Sequence, residues 1–186
     1  MNMLLRLVVL MAKTVFGRGV HPLGPCHTNL RVSPTDLDLL GHMNNGVYFS
    51  VFDLGRIDLM KRSGLLRRLR PKGWYAVVTN ETGSFRRPLR PFRAFTLRTR
   101  IIGWDERHLF IEHRIVSGGE LTTTAVIQIR FLSRSGERVT PEQVVNLLPG
   151  PVERPELPEW VAQWSKAGYE HSAALEQELR SPNGNR

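Results

Sequence analysis

Asp36-Leu37-Asp38-Leu39-Leu40-Gly41-His42-Met43-Asn44-Asn45-Gly46-Val47-Tyr48 sets two carboxylates and an imidazole in one turn, then leads through two asparagines into an apolar run. Asp, Asn and Gly are turn and N-cap residues, because short polar side chains accept backbone N–H groups and glycine takes left-handed backbone. The stretch therefore reads first as a turn that starts a helix. It also has a chemical reading. Free N–H groups at a helix start point outward from the positive end of the dipole. A carbonyl oxygen can rest there while a nearby carboxylate presents a base or nucleophile to its carbon.

Reading outward, residues 45–63 follow a helical period. Val47, Val51, Leu54 and Asp58 share one stripe, Tyr48, Phe52 and Leu59 the next, and Phe49, Ile57 and Met60 widen the apolar surface. A helix this apolar is mostly buried. Gly64 stops it, and residues 65–72 read as a basic connector ending in Pro71-Lys72-Gly73. Upstream, residues 26–33 read as a strand entering Ser33-Pro34. Downstream, residues 74–88, 95–104, 109–117 and 121–133 are rich in β-branched and aromatic side chains and are separated by short turns. Short connections imply antiparallel pairing. One strand, one long buried helix and four strands predict an α+β fold, with a sheet covering the helix. Thr140-Pro141-Glu142 opens a short helix, and four prolines between 149 and 158 stiffen a linker. A C-terminal helix follows to about residue 179, and residues 181–186 are expected to be disordered.

The residue order from Asp36 to Tyr48 resembles the D-x-D-x-x-G-H-x-N-N-x-x-Y signature of hotdog-fold acyl-CoA thioesterases of the 4-hydroxybenzoyl-CoA thioesterase type. A weaker likeness runs from about Cys26 to Leu148. The resemblance implies a hotdog fold, an antiparallel five-stranded sheet wrapped around a long central helix, here with a C-terminal helical extension. It divides the chain into an apolar, basic segment at 1–22, the hotdog domain at 23–148, and a Pro-rich linker, helix and tail at 149–186. The implied activity is hydrolysis of an acyl-CoA thioester to free acid and CoA, with no cofactor and no metal. By position in the motif, Asp38 is the catalytic carboxylate, as nucleophile or general base, and the amide at Asn45 polarises the thioester carbonyl. Sites of this family usually lie between subunits, so a homodimer or homotetramer is expected.

Other residues of the signature carry two readings. His42 supports the site, though a histidine after glycine in a loop is more often a hydrogen-bonding scaffold. Asp36 shapes the turn. Tyr48 packs on the helix, with a substrate-binding role for its hydroxyl as the lesser alternative. Arg86, Arg87, Arg90 and Arg93 cluster at one turn, and Arg87-Pro88-Leu89 matches a segment common in the family. Guanidinium groups suit CoA phosphates, so Arg87 and Arg90 are candidates for substrate binding; solvated charge on a sheet edge is the other reading. Asp53 and Arg56 form an i, i+3 pair, read as structural at a subunit interface, and Glu81 and His113 are read as structural within strands.

The whole chain narrows the function classes. Its 186 residues favour one domain with a real core. Cys26 is the only cysteine, which excludes an internal disulfide and a cysteine-based metal site and makes cytoplasm the default compartment. The net charge of +9 suits a phosphorylated ligand or an anionic surface, while helix-turn-helix, zinc and aromatic-basic patterns for nucleic acid are absent from the sequence. Residues 3–16 are apolar with Arg6 and Lys13 among them and Arg18 just beyond. That run is too short and too interrupted for an ordinary membrane span. Packing on protein is the first expectation for it, and peripheral membrane contact the second.

Two rival functions remain at this level. A hotdog hydratase typically spaces Asp and His as D-x4-H, whereas three residues separate Asp38 from His42 here. A non-catalytic acyl-CoA or lipid-binding hotdog protein is compatible with the N-terminal segment, but an intact Asp38 weighs against it. The acyl group itself is not encoded legibly.

Overall fold

A computed structural model describes residues 3–15, 18–148 and 150–180. Helix α1 (Met3–Val15) precedes strand β1 (Cys26–Arg31), and a 3-10 turn (Pro34–Asp36) leads toward helix α2 (Asn45–Arg62). Asn44 caps α2 by accepting Gly46 N–H at 2.8 Å, and Ser63 ends it, followed by Gly64 at φ 77°. That left-handed backbone is what glycine supplies without strain. Strands β2 (Trp74–Phe85), β3 (Ala94–Trp104), β4 (Leu109–Ser117) and β5 (Glu120–Ser133) follow. All pairings are antiparallel, and the strand order is β1-β3-β4-β5-β2.

This sheet covers α2. Val51, Phe52 and Leu59 of the helix join Leu97, Ile111, Ile115 and Ile127 of the sheet in one buried cluster. Gly55 marks the closest approach: a Cβ there would lie 2.5 Å from Leu97 Cδ2. The α+β class and the sheet wrapped around a long central helix are as the sequence predicts. The pattern of α2 explains its depth, since Tyr48, Val51, Phe52, Leu54, Arg56, Asp58 and Leu59 are all buried.

Three details differ from the sequence reading. Residues 65–72 are not merely a connector: they form helix α3 (Leu65–Leu69) and a 3-10 turn (Arg70–Lys72). Leu65 and Leu69, four residues apart, are the buried side of that helix, so two apolar anchors prevail over its basic composition. The second strand ends at Phe85 rather than residue 88, where Pro88 can no longer donate to a ladder. A two-residue strand β6 (Arg138–Val139) adds to β5 through Phe131 and Leu132, making six strands among the described residues.

Helix α4 (Pro141–Val145) starts in a capping box: Thr140 Oγ1 accepts Gln143 N–H, and Gln143 Oε1 accepts Thr140 N–H at 2.8 Å. The chain divides into two compact units, with the break after Pro155. The second holds helix α5 (Glu159–Arg180), which carries i, i+4 ion pairs Lys166–Glu170 and Glu176–Arg180. The expectation of a disordered tail at 181–186 lies outside the described residues. Among the described residues, no helix is long and apolar enough to cross a membrane.

Candidate functional site

The signature folds into a small hairpin at the entrance to α2. Leu37 and Met43 form an antiparallel bridge, Asp38 N–H donates to His42 C=O at 2.8 Å, and Asn44 N–H donates to Asp36 C=O at 2.8 Å. Gly41, at φ 73°, turns the chain at its tip. Met43 N–H donates to Leu89 C=O at 2.9 Å, so the Arg87-Pro88-Leu89 segment is tied to the hairpin.

Within that frame Asp38 is half-buried. Its Oδ1 accepts Leu40 N–H at 2.9 Å and His42 N–H at 3.3 Å. Among the described residues, Oδ2 makes no hydrogen bond. A carboxylate held by one oxygen and free at the other keeps a lone pair for chemistry. At the first residue of α2, Asn45 is exposed, and its N–H meets no acceptor among the described residues, whereas Gly46 N–H is taken by Asn44. Leu39 and Leu40 leave an apolar, solvent-facing flank beside Asp38.

His42 lends its backbone to the hairpin, and its half-buried ring makes no hydrogen bond among the described residues. Tyr48 is buried with its ring edge-on to Phe85, centroids 5.0 Å apart. Burial raises its phenol pKa, and the charge of Asp38 adds to the rise, while the Leu89 amide and Thr123 hydroxyl act the other way. Tyr48 is thus buried rather than exposed beside Asp38, though it feels that residue's charge. Arg87 is exposed and ion-paired with Glu120; Arg90 is exposed, with no carboxylate partner among the described residues. Arg93 instead braces a turn, its Nε donating to Ser117 Oγ at 3.0 Å.

The sequence reading missed one residue of this region. Arg6 of α1 donates to Asp36 Oδ2 at 2.5 Å and to Arg31 C=O at 3.0 Å, and both side chains of the ion pair are buried. Asp36 Oδ2 also accepts Ser33 N–H at 2.7 Å. A lone charge inside an apolar helix was the available signal, because such a charge is seldom buried without a partner.

A second polar group lies under the sheet. Arg56 pairs with Asp53, as its spacing suggested, and lies 3.6 Å from Glu81. Buried His113 bonds Thr99 Oγ1 through Nδ1 at 3.0 Å and stacks on Phe52 at 4.9 Å. Burial, then the charge of Arg56, holds its imidazole well below the usual range, so it is neutral. Burial also raises Glu81 against the pull of Arg56. No group of three or more His, Cys, Asp or Glu among the described residues could hold a metal.

Comparison with known proteins agrees with this architecture. Residues 32–165 match the profile of the thioesterase-like superfamily. Protein THEM6 of Xenopus laevis is 35% identical over 155 residues, covering 82% of this chain and 71% of that protein. Among solved structures, the probable thioesterase YbaW of Escherichia coli superposes with TM-score 0.61 at 18% identity, over 67% of this chain and 98% of that one. The DHNA-CoA thioesterase of Staphylococcus aureus gives TM-score 0.55 at 16% identity, over 83% and 95%. At such identities the structural likeness speaks for the fold, while the sequence match speaks for the family. The chain is a hotdog-fold member of the thioesterase-like superfamily.

Proposed function

We propose that this protein hydrolyses an acyl-CoA thioester, with Asp38 as general base or nucleophile and the Asn45 N–H as the donor to the carbonyl oxygen. The observation that carries the reading is the pairing of a half-held carboxylate with an acceptor-free amide at one helix entrance. As general base, Asp38 takes a proton from water as the water oxygen bonds to the thioester carbon. Negative charge gathers on the carbonyl oxygen, where the Asn45 N–H and the α2 dipole stabilise it. The intermediate then collapses, the C–S bond breaks, and the CoA thiolate leaves and takes the proton held on Asp38. As nucleophile, an Asp38 oxygen would bond to the thioester carbon as the C–S bond breaks and CoA leaves as thiolate; water would then open the resulting anhydride to the free acid and Asp38, and the proton so released would go to the thiolate. His42 keeps the hairpin in register, and Tyr48 anchors the start of α2 against Phe85. Arg87 and Arg90 bind CoA phosphates, with Arg87 exchanging its contact with Glu120 for the ligand.

In a single chain this site faces solvent, and a second protomer would close it. The free edge of β2 supports a homodimer: it is a twelve-residue strand at the end of the sheet with Tyr75, Val78 and Phe85 exposed. A long apolar edge of that kind is a template for pairing unless another strand covers it.

Free-thiol release from a panel of acyl-CoAs tests the activity. Asp38→Asn keeps the size and shape of the side chain and should lower turnover by roughly 10²-fold or more, the scale of losing a general base. Unchanged turnover in that variant, or no thiol release from any acyl-CoA by the wild type, would reject the assignment.

A further inference from the structure

Helix α1 presents an inverted pattern for a surface helix. Of its two charged side chains, Arg6 points inward to Asp36, and Leu10 is buried on the same side. The opposite face carries Leu4, Leu5, Val8 and Val9, exposed by 66, 51, 57 and 38%, and exposed Ala12 continues it. At the helical period these form one stripe without a charge. An apolar stripe alone does not name what covers it. The neighbouring surface does.

Met11 and Thr14, at the C-terminal end of α1, form one wall of an open groove of about 840 Å³. Lys61, Arg62, Arg67, Arg68 and Arg70 also line it, and no Asp or Glu does. Lys61 Nζ donates to Met11 C=O at 2.8 Å, and Arg62 is engaged with Arg18 C=O and Asp58. Arg67, Arg68 and Arg70 have no carboxylate partner among the described residues, and Arg68 Nε is shielded from solvent with no hydrogen-bond partner. Uncompensated guanidinium groups beside a leucine stripe call for a partner that is anionic at one level and apolar just beneath. A second copy packed symmetrically on this face fits poorly, since it would set the same arginines against each other.

We propose that the outer face of α1 and the α3 groove together dock the protein on an anionic phospholipid surface. Leucine and valine side chains enter the boundary between headgroups and acyl chains, and lipid phosphates take the charge of Arg67, Arg68 and Arg70. The Arg6–Asp36 pair holds α1 folded on the protein before it meets lipid, so no helix has to form at the surface.

Vesicle flotation of the full chain tests this. The wild type should float with phosphatidylcholine vesicles containing phosphatidylglycerol, less so as salt rises, and should stay with the buffer when vesicles are phosphatidylcholine alone. Each cation near an anionic surface changes binding about fivefold, so the Arg67→Ala/Arg68→Ala/Arg70→Ala variant should need roughly a hundredfold more lipid for half-binding. Leu5→Glu/Val8→Glu should also abolish flotation; the milder Leu5→Ser/Val8→Ser, with far-UV circular dichroism as a fold check, should weaken it. Hydrolysis of a short soluble acyl-CoA should not change in any of these. Absence of wild-type flotation on anionic vesicles, or undiminished flotation of the arginine or serine variants, would overturn the proposal. So would a change of oligomer size on chromatography of the serine variant without vesicle binding by the wild type, which would assign the stripe to a second copy.

Discussion

Arg6 Nη2 lies 2.5 Å from Asp36 Oδ2, with side-chain exposures of 1 and 5%, and this one ion pair fastens α1 to the hairpin that presents Asp38. One residue, Leu37, separates Asp36 from the candidate catalytic carboxylate. Both charges are out of water, so the pair is weak as a source of net stability but sensitive to the loss of either member.

Arg6→Met and Asp36→Asn should therefore each destabilise the fold by about 3–5 kcal/mol, because each strands the other partner. Combining the two should restore much of the loss, as no unpaired charge remains. Urea denaturation of the two single variants and the double closes the cycle. Additive losses would show that the two residues act separately. Thioester turnover should fall less in Asp36→Asn than in Asp38→Asn.

His113 predicts a pH dependence. Its folded imidazole is neutral, held well below the ordinary value of 6.5 first by burial and then by Arg56. Thr99 and the ring of Phe52 are its other neighbours. The unfolded chain accepts the proton near its ordinary pKa and the folded chain does not. Its effect is thus absent above that value, and stability falls as pH drops below it, by up to about 1.4 kcal/mol per pH unit until the folded pKa is reached. His113→Gln should flatten this slope between about pH 6.5 and 5 relative to wild type. Denaturation midpoints across that range give the comparison, and parallel curves would contradict it.

Gly55 sets two effects against each other. Alanine favours a helix by about 1 kcal/mol over glycine. Here its Cβ would meet Leu97 Cδ2 at 2.5 Å and come closer still to Thr99 Oγ1, the hydroxyl that His113 uses. Overpacking on this scale costs about 1–3 kcal/mol, and the disturbed Thr99–His113 bond adds to it. Gly55→Ala should lower the thermal midpoint, and a rise would mean that the sheet yields at that point.

Arg87 and Arg90 are both exposed, so removing either should leave stability nearly unchanged. If they bind phosphate, Arg87→Ala and Arg90→Ala should raise KM for an acyl-CoA by about tenfold each, yet leave an acyl thioester lacking the nucleotide alone. Glu120→Gln, which releases Arg87 from its ion pair, should lower KM for the CoA substrate slightly. Equal effects on both substrates would return these arginines to a structural role.

By itself the sequence determined the long helix, the five main strands and the turn that opens the helix. The period of residues 45–63, the glycine at 64, the β-branched and aromatic content of the four later strands and the Thr140-Pro141 cap are all short-range signals. A single-chain reading recovers such signals because backbone conformation, capping and one-sided burial act within a few residues. The Asp36–Tyr48 spacing likewise set Asp38 in the turn and Asn45 at the first residue of α2. Only the tertiary structure decided which distant groups meet. Arg6 read as a charge that interrupts an apolar run; thirty residues on, Asp36 is what turns it inward and leaves leucines facing out. His113 read only as structural within a strand and Arg56 only as half of a pair with Asp53, but the sheet closes over α2 and sets Thr99 and Phe52 on one and Glu81 beside the other. Whether a charge is buried, and against what, depends on chain segments brought together by packing, and no pattern within a short window carries that distance.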